Sequence, residues 1–486
     1  MILVLVAFSV ATVATTFFLW RKRHLIKLGF TMPHKGWIPF VGGVVYIKGM
    51  DEIIEVTNKC FEELGDMFFT WIGPVPLILV RDVEVAESVL TSQKCISKAG
   101  VLDPLTNLLG EGLLTMRDSL WHTHRKYINP CFSLNMLLGF FDIYNKTANE
   151  LSDSMESHVG KEASDLRFLF ARSMMNTATE TTMGKTLEAG SKLDLLPQYQ
   201  VCMRALMTQM VRPWYQIGFL FKFHDLYKPL KTAKLIIKNT INSLIEENIN
   251  ENDNNNGPDP EEKPIFIKQA IKLAKANKFT LDDVDIESNT IVVGAFETTA
   301  TAIYNALFCL AEHTECQDKL YEEIMAVMPD DVEVTYEHLK DMPYLSMALN
   351  ESMRLLPAVM FNPREASGDF HLHDSTYIPK GAQFMISIYH IQRSKKYWGP
   401  KADEYDPEQF SAENVAKRSP YAFMPFSKGL RNCIGWRYAQ FALKIALVKL
   451  IKKYKFTTEH KLKNVVIIPT ITMNFKDVPK LKVTLR

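Results

Sequence analysis

The stretch "FMPFSKGLRNCIGW", residues 423–436, places one thiol, Cys433, in a loop with a proline, two glycines and two basic side chains. Behind it runs "GWRYAQFALKIALVKLIKKY", a helix-length apolar segment with few charges. A helix N-terminus offers unpaired N–H groups and the positive end of the dipole, and both favour thiolate over thiol. Gly429 and Gly435 let the backbone pass close to something bulky, and Arg431 brings a fixed cation two residues from the sulfur. A thiolate with an adjacent cation and a flat gap suits a metal macrocycle with acidic substituents. A structural cysteine in a turn fits the same local physics, so the loop alone leaves both readings open.

"FSKGLRNCIG", residues 426–435, fills every position of FxxGxRxCxG and resembles the haem-ligand loop of cytochrome P-450 enzymes. The resemblance implies Cys433 as proximal haem ligand and metal site, with Phe426 beside it and Arg431 as a propionate partner. A thiolate trans to dioxygen favours O–O cleavage. Other marks of the family follow in order. "ALNESMRLLP" holds Glu351 and Arg354 at ExxR spacing, three apart on one helix face; the plain reading is a surface ion pair, and the family reading is a buried lock. "WHTHR" places Trp121 and Arg125 at WxxxR spacing, which implies a propionate-binding helix; Arg364 matches a further propionate arginine. His122 and His124 diverge on a helix and are read as facing solvent. In "YDPEQF" Gln409 takes the place of the family's third, cationic network member, so Gln409→Arg is expected to be tolerated or stabilising.

Between Ser288 and His313 the apolar periodicity predicts a long buried helix, in which an acid and a run of threonines are costly unless bonded or used. Its "GAFETT" resembles the family's AGxDTT. That implies a local bulge beside the iron, with Thr298 as proton-feeding hydroxyl and Glu297 as acid relay. The plainer alternative has Thr298 bonding back to a carbonyl one turn earlier. Gly294 stands where many fatty-acid ω-hydroxylases carry the glutamate that esterifies haem, so that covalent link is excluded and ω-regiospecificity is in doubt.

These residues need a large scaffold, and 486 residues supply one. Lys plus Arg number 56 against 55 Asp plus Glu, a net charge of +1 that gives no field for nucleic acid. Seven scattered cysteines without CxxC spacing argue against a disulfide framework or zinc cluster. Residues 2–20 carry no charge and Arg21, Lys22, Arg23 and His24 follow. That pattern predicts a single-pass anchor with its basic stop over residues 1–24, leaving the rest cytosolic. A proline- and glycine-rich hinge is expected over 25–40 and a catalytic domain over 41–486. The domain is expected to be mainly α with a minor β region, in the P-450 fold: strand-like runs at Met67–Val80, around Phe370–His390 and after Val465, and a mobile loop over Glu251–Pro264. A cleaved signal peptide, with Ser9 and Ala11 as its small-x-small site, is the alternative to the anchor, and the NKT sequon at Asn145 would suit secretion.

The motif region is most similar to microsomal members of the clan that includes fatty-acid ω-hydroxylases, especially insect branches. This implies a monooxygenase carrying haem b and using O2, with NADPH electrons arriving through a membrane-bound cytochrome reductase at Lys126, Lys428 and Arg437, and cytochrome b5 as a further donor. The expected location is the endoplasmic reticulum membrane, facing the cytosol. The substrate is expected to be lipophilic: a fatty acid, a steroid-like hormone or a xenobiotic such as an insecticide. It would be held by the Val101–Gly112 loop, the stretch around "QMVRPWYQIGFLFKF", Phe296, Val359 and Met360, while Trp214, Tyr215 and Phe219 touch the bilayer. A haem-thiolate isomerase or dehydratase and a non-catalytic haem sensor are the alternatives; an intact Glu297–Thr298 relay favours the oxygenase.

Overall fold

The computed structural model describes residues 2–36, 42–43, 47, 49–73, 75–187, 190–191, 194–254 and 265–486. Helices dominate. The element nearest the amino end, α1 (Ile2–Thr31), does not stop at the basic cluster. The helix runs on through the first seven residues of the expected hinge, since nothing there breaks it before Pro33. Leu25 and Leu28 are buried against the sheet, and Gly29 lets α1 settle on Phe69, whose ring would lie 2.7 Å from an added Cβ. Residues 37–41 of the expected hinge lie outside the described residues.

Next come α2 (Ile53–Leu64) and the antiparallel pair β1 (Met67–Ile72) and β2 (Val75–Val80), which fall where the alternating run predicts. The helical body contains α3 (Asp118–Ile128), α4 (Phe141–Met155), α5 (Arg167–Met183), α6 (Leu196–Val211) and α7 (Tyr227–Asn254). The predicted mobile loop begins inside α7, which takes its first four residues; positions 255–264 lie outside the described residues.

The central element is α8 (Leu281–Glu312), longer than the sequence pattern suggests because a capping box starts it: the Thr280 hydroxyl accepts from the Asp283 N–H and the Asp283 carboxylate accepts from the Thr280 N–H. Among the described residues α8 is the one helix apolar and long enough to cross a membrane, but most of it is buried in this fold. Packed around it are α9 (Pro343–Leu355) and, far along the chain, α10 (Trp436–Lys453), whose inner face buries Tyr438, Phe441, Ile445 and Val448. Two later strands, β3 (Phe361–Glu365) and β4 (Gln383–Ser387), join the first pair in the order β1-β2-β4-β3, with β2 and β4 parallel. A second pair, β5 (Tyr454–Thr457) and β8 (Lys482–Leu485), encloses the hairpin of β6 (Ile467–Pro469) and β7 (Met473–Phe475) in sequence. Three cores result among the described residues: one among the helices, one between the sheet, α1 and the segment before Cys433, and a small one where Cys60 and Phe61 of α2 meet Phe68, Leu77 and Leu79 of the sheet.

Asn145 sits within α4, 4% exposed. Its amide donates to Phe141 and Val334 carbonyls and accepts from the Val334 N–H. The sequon is a helix-to-loop clamp, closed to glycosylation in the folded chain.

Candidate functional site

The thiol loop is fixed by its own backbone. The Cys433 N–H donates to the Phe426 carbonyl at 2.9 Å and the Ser427 N–H to Met424 at 3.0 Å, while Ser427 and Gly429 take φ of +59° and +73°. Gly429 is pressed against protein: a Cβ there would lie 2.0 Å from the Leu90 carbonyl oxygen. This corrects the expectation that Gly429 clears space for a ligand; only Gly435, at the start of α10, borders the void. Cys433 is exposed and lines, with Phe426, a cavity of about 590 Å³. Desolvation by the surrounding protein pushes the thiol up, against the pull of the Gly435 N–H and the charges of Arg125 and Lys98. The helix start does not by itself yield a thiolate; a coordinated metal cation does.

Besides Lys35, which pairs with Glu63, three cations line the same cavity: Lys98, Arg125 and Arg431. Arg125, on α3, donates to the backbone and side-chain oxygens of Asn432 at 2.9 and 3.0 Å, which ties α3 to the residue before Cys433. Trp121, 2% exposed, carries Arg125 at 5.9 Å and Arg431 at 5.2 Å from its ring centroid. The Nη atoms of Arg431 donate to the carbonyls of Ile96, Leu113, Leu114 and Met116, so Arg431 clamps two loops as well as facing the void. Arg364, on β3, does not line the cavity, contrary to its expected place; it donates to Asn362 and, at 3.4 Å, to the Arg431 carbonyl behind the rim. Lys98 was missed by sequence reasoning, having no motif around it; its Nζ lies 3.4 Å from Asn362 Oδ1.

Among the described residues none of Lys98, Arg125, Arg364 and Arg431 pairs with a carboxylate. Burial and then the charge of Arg364 push Arg431 down to about 9; burial takes Arg364 to about 10; Lys98 is driven well below its usual value by burial and by both arginines. An apolar void with a thiol on its wall and three converging cations fits a flat metal macrocycle bearing two carboxylates, which would relieve that repulsion. Haem fits these residues.

On α8, the Thr298 hydroxyl donates to the Gly294 carbonyl at 2.8 Å, the back-bond of the plainer alternative, and both residues line the cavity. The helix runs unbroken there. A Cβ on Gly294 would meet nothing within 4 Å, so that position opens onto the void. Glu297 also lines it, is pushed up by burial, and accepts from the Thr472 hydroxyl at 3.2 Å. The acid of the expected relay is thereby held by the β6–β7 hairpin.

Val101, Leu102, Leu105, Met203, Met207 and Val359 are among the apolar side chains on the walls. Phe296 and Met360 are not: Phe296 turns away against Tyr199, with ring centroids 5.6 Å apart. Trp214 and Phe219 are 54% and 65% exposed, which excludes an ordinary buried helix for that stretch.

His124 corrects the solvent-facing reading: it is buried on α3, its Nδ1 2.7 Å from Oε1 of Glu287, which is wholly buried on α8. The other Glu287 oxygen accepts from the Leu113 N–H at 3.0 Å. This pair joins α3, α8 and the loop clamped by Arg431. No sequence signal links two residues 163 apart.

Glu351 and Arg354 form a bidentate pair at 2.6 and 2.7 Å, both 0% exposed, so the surface reading fails and the lock reading holds. Arg354 also donates to the carbonyls of Gln392, Ala402 and Glu404. Gln392, unremarked in the sequence, passes this order on: its amide donates to the Met353 and Arg354 carbonyls and its oxygen accepts from the Met424 N–H at 2.8 Å. Met424 opens the thiol loop. Gln409 does not touch the pair; it accepts from Arg418.

The family profile described as Cytochrome P450 matches residues 32–478. Among curated proteins, the chain is 35% identical over 477 residues to probable cytochrome P450 313a4 of Drosophila melanogaster, covering 97% of both chains. It is 33% identical over 471 residues to probable cytochrome P450 313a2 of the same organism, covering 96% of this chain and 95% of the relative. Cytochrome P450 4c3, also from Drosophila melanogaster, is 28% identical over 490 residues, covering 96% and 91%.

Proposed function

The chain belongs to the cytochrome P450 family and is a haem-thiolate monooxygenase, and on that premise we propose that Cys433 ligates the haem iron and that the enzyme oxygenates a lipophilic substrate. Haem held there supplies the iron at which dioxygen is activated. Lys98, Arg125 and Arg431 would hold its propionates and Phe426 would pack beside the sulfur, while Trp121 carries the two guanidiniums and Arg364 braces Asn362 and the Arg431 backbone. The Thr298 hydroxyl, on the wall of the same cavity and bonded to the Gly294 carbonyl, would supply a proton there. Glu297, its carboxyl pushed up by burial and bonded to Thr472, refills it. The apolar walls exclude water and orient the substrate by shape. The class includes fatty acids, steroid-like hormones and xenobiotics; Gly294 leaves no carboxylate to esterify haem.

Electrons come from NADPH through a membrane-bound reductase, with cytochrome b5 as an accessory donor. The docking face is the cysteine side, where Lys126 and Arg437 are exposed beside Leu430, with Lys428 half-buried. Residues 1–24 anchor the protein in the endoplasmic reticulum membrane with the domain toward the cytosol, and Trp214 and Phe219 rest on the bilayer. The observation that carries this reading is the thiol of Cys433 opening onto an apolar cavity that Lys98, Arg125 and Arg431 line without, among the described residues, a carboxylate partner. Reconstitution with reductase, lipid, steroid and xenobiotic mixtures and isotopically labelled dioxygen tests it. One labelled oxygen atom in a lipophilic product is expected; NADPH consumption without any labelled product across the mixtures would overturn the substrate class.

A further inference from the structure

The buried Glu351–Arg354 lock has no cation at position 409, yet a second guanidinium reaches the same place from elsewhere in the chain. Arg418 donates from Nη1 to Gln409 Oε1 at 2.8 Å and from Nη2 to the Gln409 carbonyl. Its guanidinium lies 4.0 Å from the Trp398 ring centroid and 5.7 Å from Phe410, while that of Arg354 lies 4.7 Å from the same Trp398 ring. Trp398 packs on Phe410 and Phe423, and Phe423 adjoins Met424, where the thiol loop begins. Burial and the charge of Arg354 push Arg418 down and the charge of Glu351 holds it up, so it shares the field of the lock without touching either partner. Among the described residues Arg418 has no carboxylate partner of its own.

We propose that Arg418 is the positioning cation of this network, supplying through Trp398 and Gln409 the charge that residue 409 does not bring, and so fixing the segment that presents Cys433. This rests on Cys433 being the haem ligand. It also reverses the sequence expectation for Gln409→Arg. A guanidinium at 409 meets one already bonded there, and like charges at such range repel.

The test uses the full-length haem-loaded protein and reads haem transfer to an acceptor apoprotein, the share of thiolate-type signal in the reduced carbon-monoxide spectrum, and the thermal midpoint. Arg418→Gln should speed haem transfer by about 5- to 30-fold and lower the thiolate share, as expected for losing one or two kcal/mol of contacts. Gln409→Arg in the wild type should lower the midpoint, and adding it to Arg418→Gln should restore haem retention. Wild-type retention in Arg418→Gln, no rescue in the double variant, or a raised midpoint in Gln409→Arg would each overturn the proposal. A thiolate signal in the unaltered protein keeps the ligand assignment standing whatever these variants do.

Discussion

Gly429 and Cys433 are four residues apart, and each is there for a different reason. Gly429 answers to backbone geometry, with φ of +73° and the Leu90 carbonyl against its Cα. Gly429→Ala should cost about 1–3 kcal/mol from the dihedral alone, and the clash adds to it, so a lowered denaturation midpoint with poor haem uptake is expected. Thr298 and Glu297 carry the proposed proton relay. Thr298→Val and Glu297→Gln should each reduce product formation on the order of 10²-fold while the carbon-monoxide spectrum stays as in the wild type. If both retained full turnover, protons would have to arrive by another route. At this scale the sequence was most readable where a fixed spacing is itself the chemistry: the cysteine loop, Glu351 with Arg354, and Trp121 with Arg125. It was silent where partners lie far apart along the chain. Lys98, Gln392, His124 with Glu287, and Arg418 gain meaning only from contacts made across the fold.

Among the elements, α8 bears the most. It is held at its start by the Thr280–Asp283 box, along its side by Glu287, and at its middle by the Glu297–Thr472 contact. Its strand-like residues fold as helix because the surrounding helices bury both sides of it, a tertiary override of local propensity. The expected bulge is replaced by the single Thr298 back-bond to Gly294. Near its start, burial pushes Asp285 up to about 6, Asp282 adding to the rise and Lys238 opposing it. The folded chain thus binds this proton more tightly than the unfolded one, so stability falls as pH rises from about 4 through about 6 and stays lower above. Asp285→Asn should therefore raise the thermal midpoint at about pH 7.5, by roughly 1–2 kcal/mol after solvent screening, and bring no gain near pH 4. An equal gain at both pH values would show that the carboxyl is not desolvated as the structure places it. The opposite case is α1, which continues as helix through residues 25–31 of the expected hinge, because Lys and Leu are good helix formers and the first proline there is Pro33.

For the whole molecule, the cavity is walled by the helical core and by the small cluster of α2 with β1 and β2, which explains why residues from so many distant segments converge. The sheet, α1 and the Trp398 cluster form a further core, α8 and α10 with their partners form the helical one, and the thiol loop crosses between them. The division into mainly helical body and minor sheet was legible from periodicity, since period-2 runs at Met67–Val80 and long apolar helices carry their own signal. The side from which each residue meets the cavity was not, as Phe296 and Arg364 illustrate. The central claim concerns the bond from Cys433 to iron, and the reduced, carbon-monoxide-treated haem protein measures it directly. The wild type should give the red-displaced Soret band of thiolate ligation, and Cys433→His should move it to the position of histidine-ligated haem with the helical circular dichroism unchanged. A folded wild type lacking the displaced band, or a Cys433→His variant retaining it, would contradict the account.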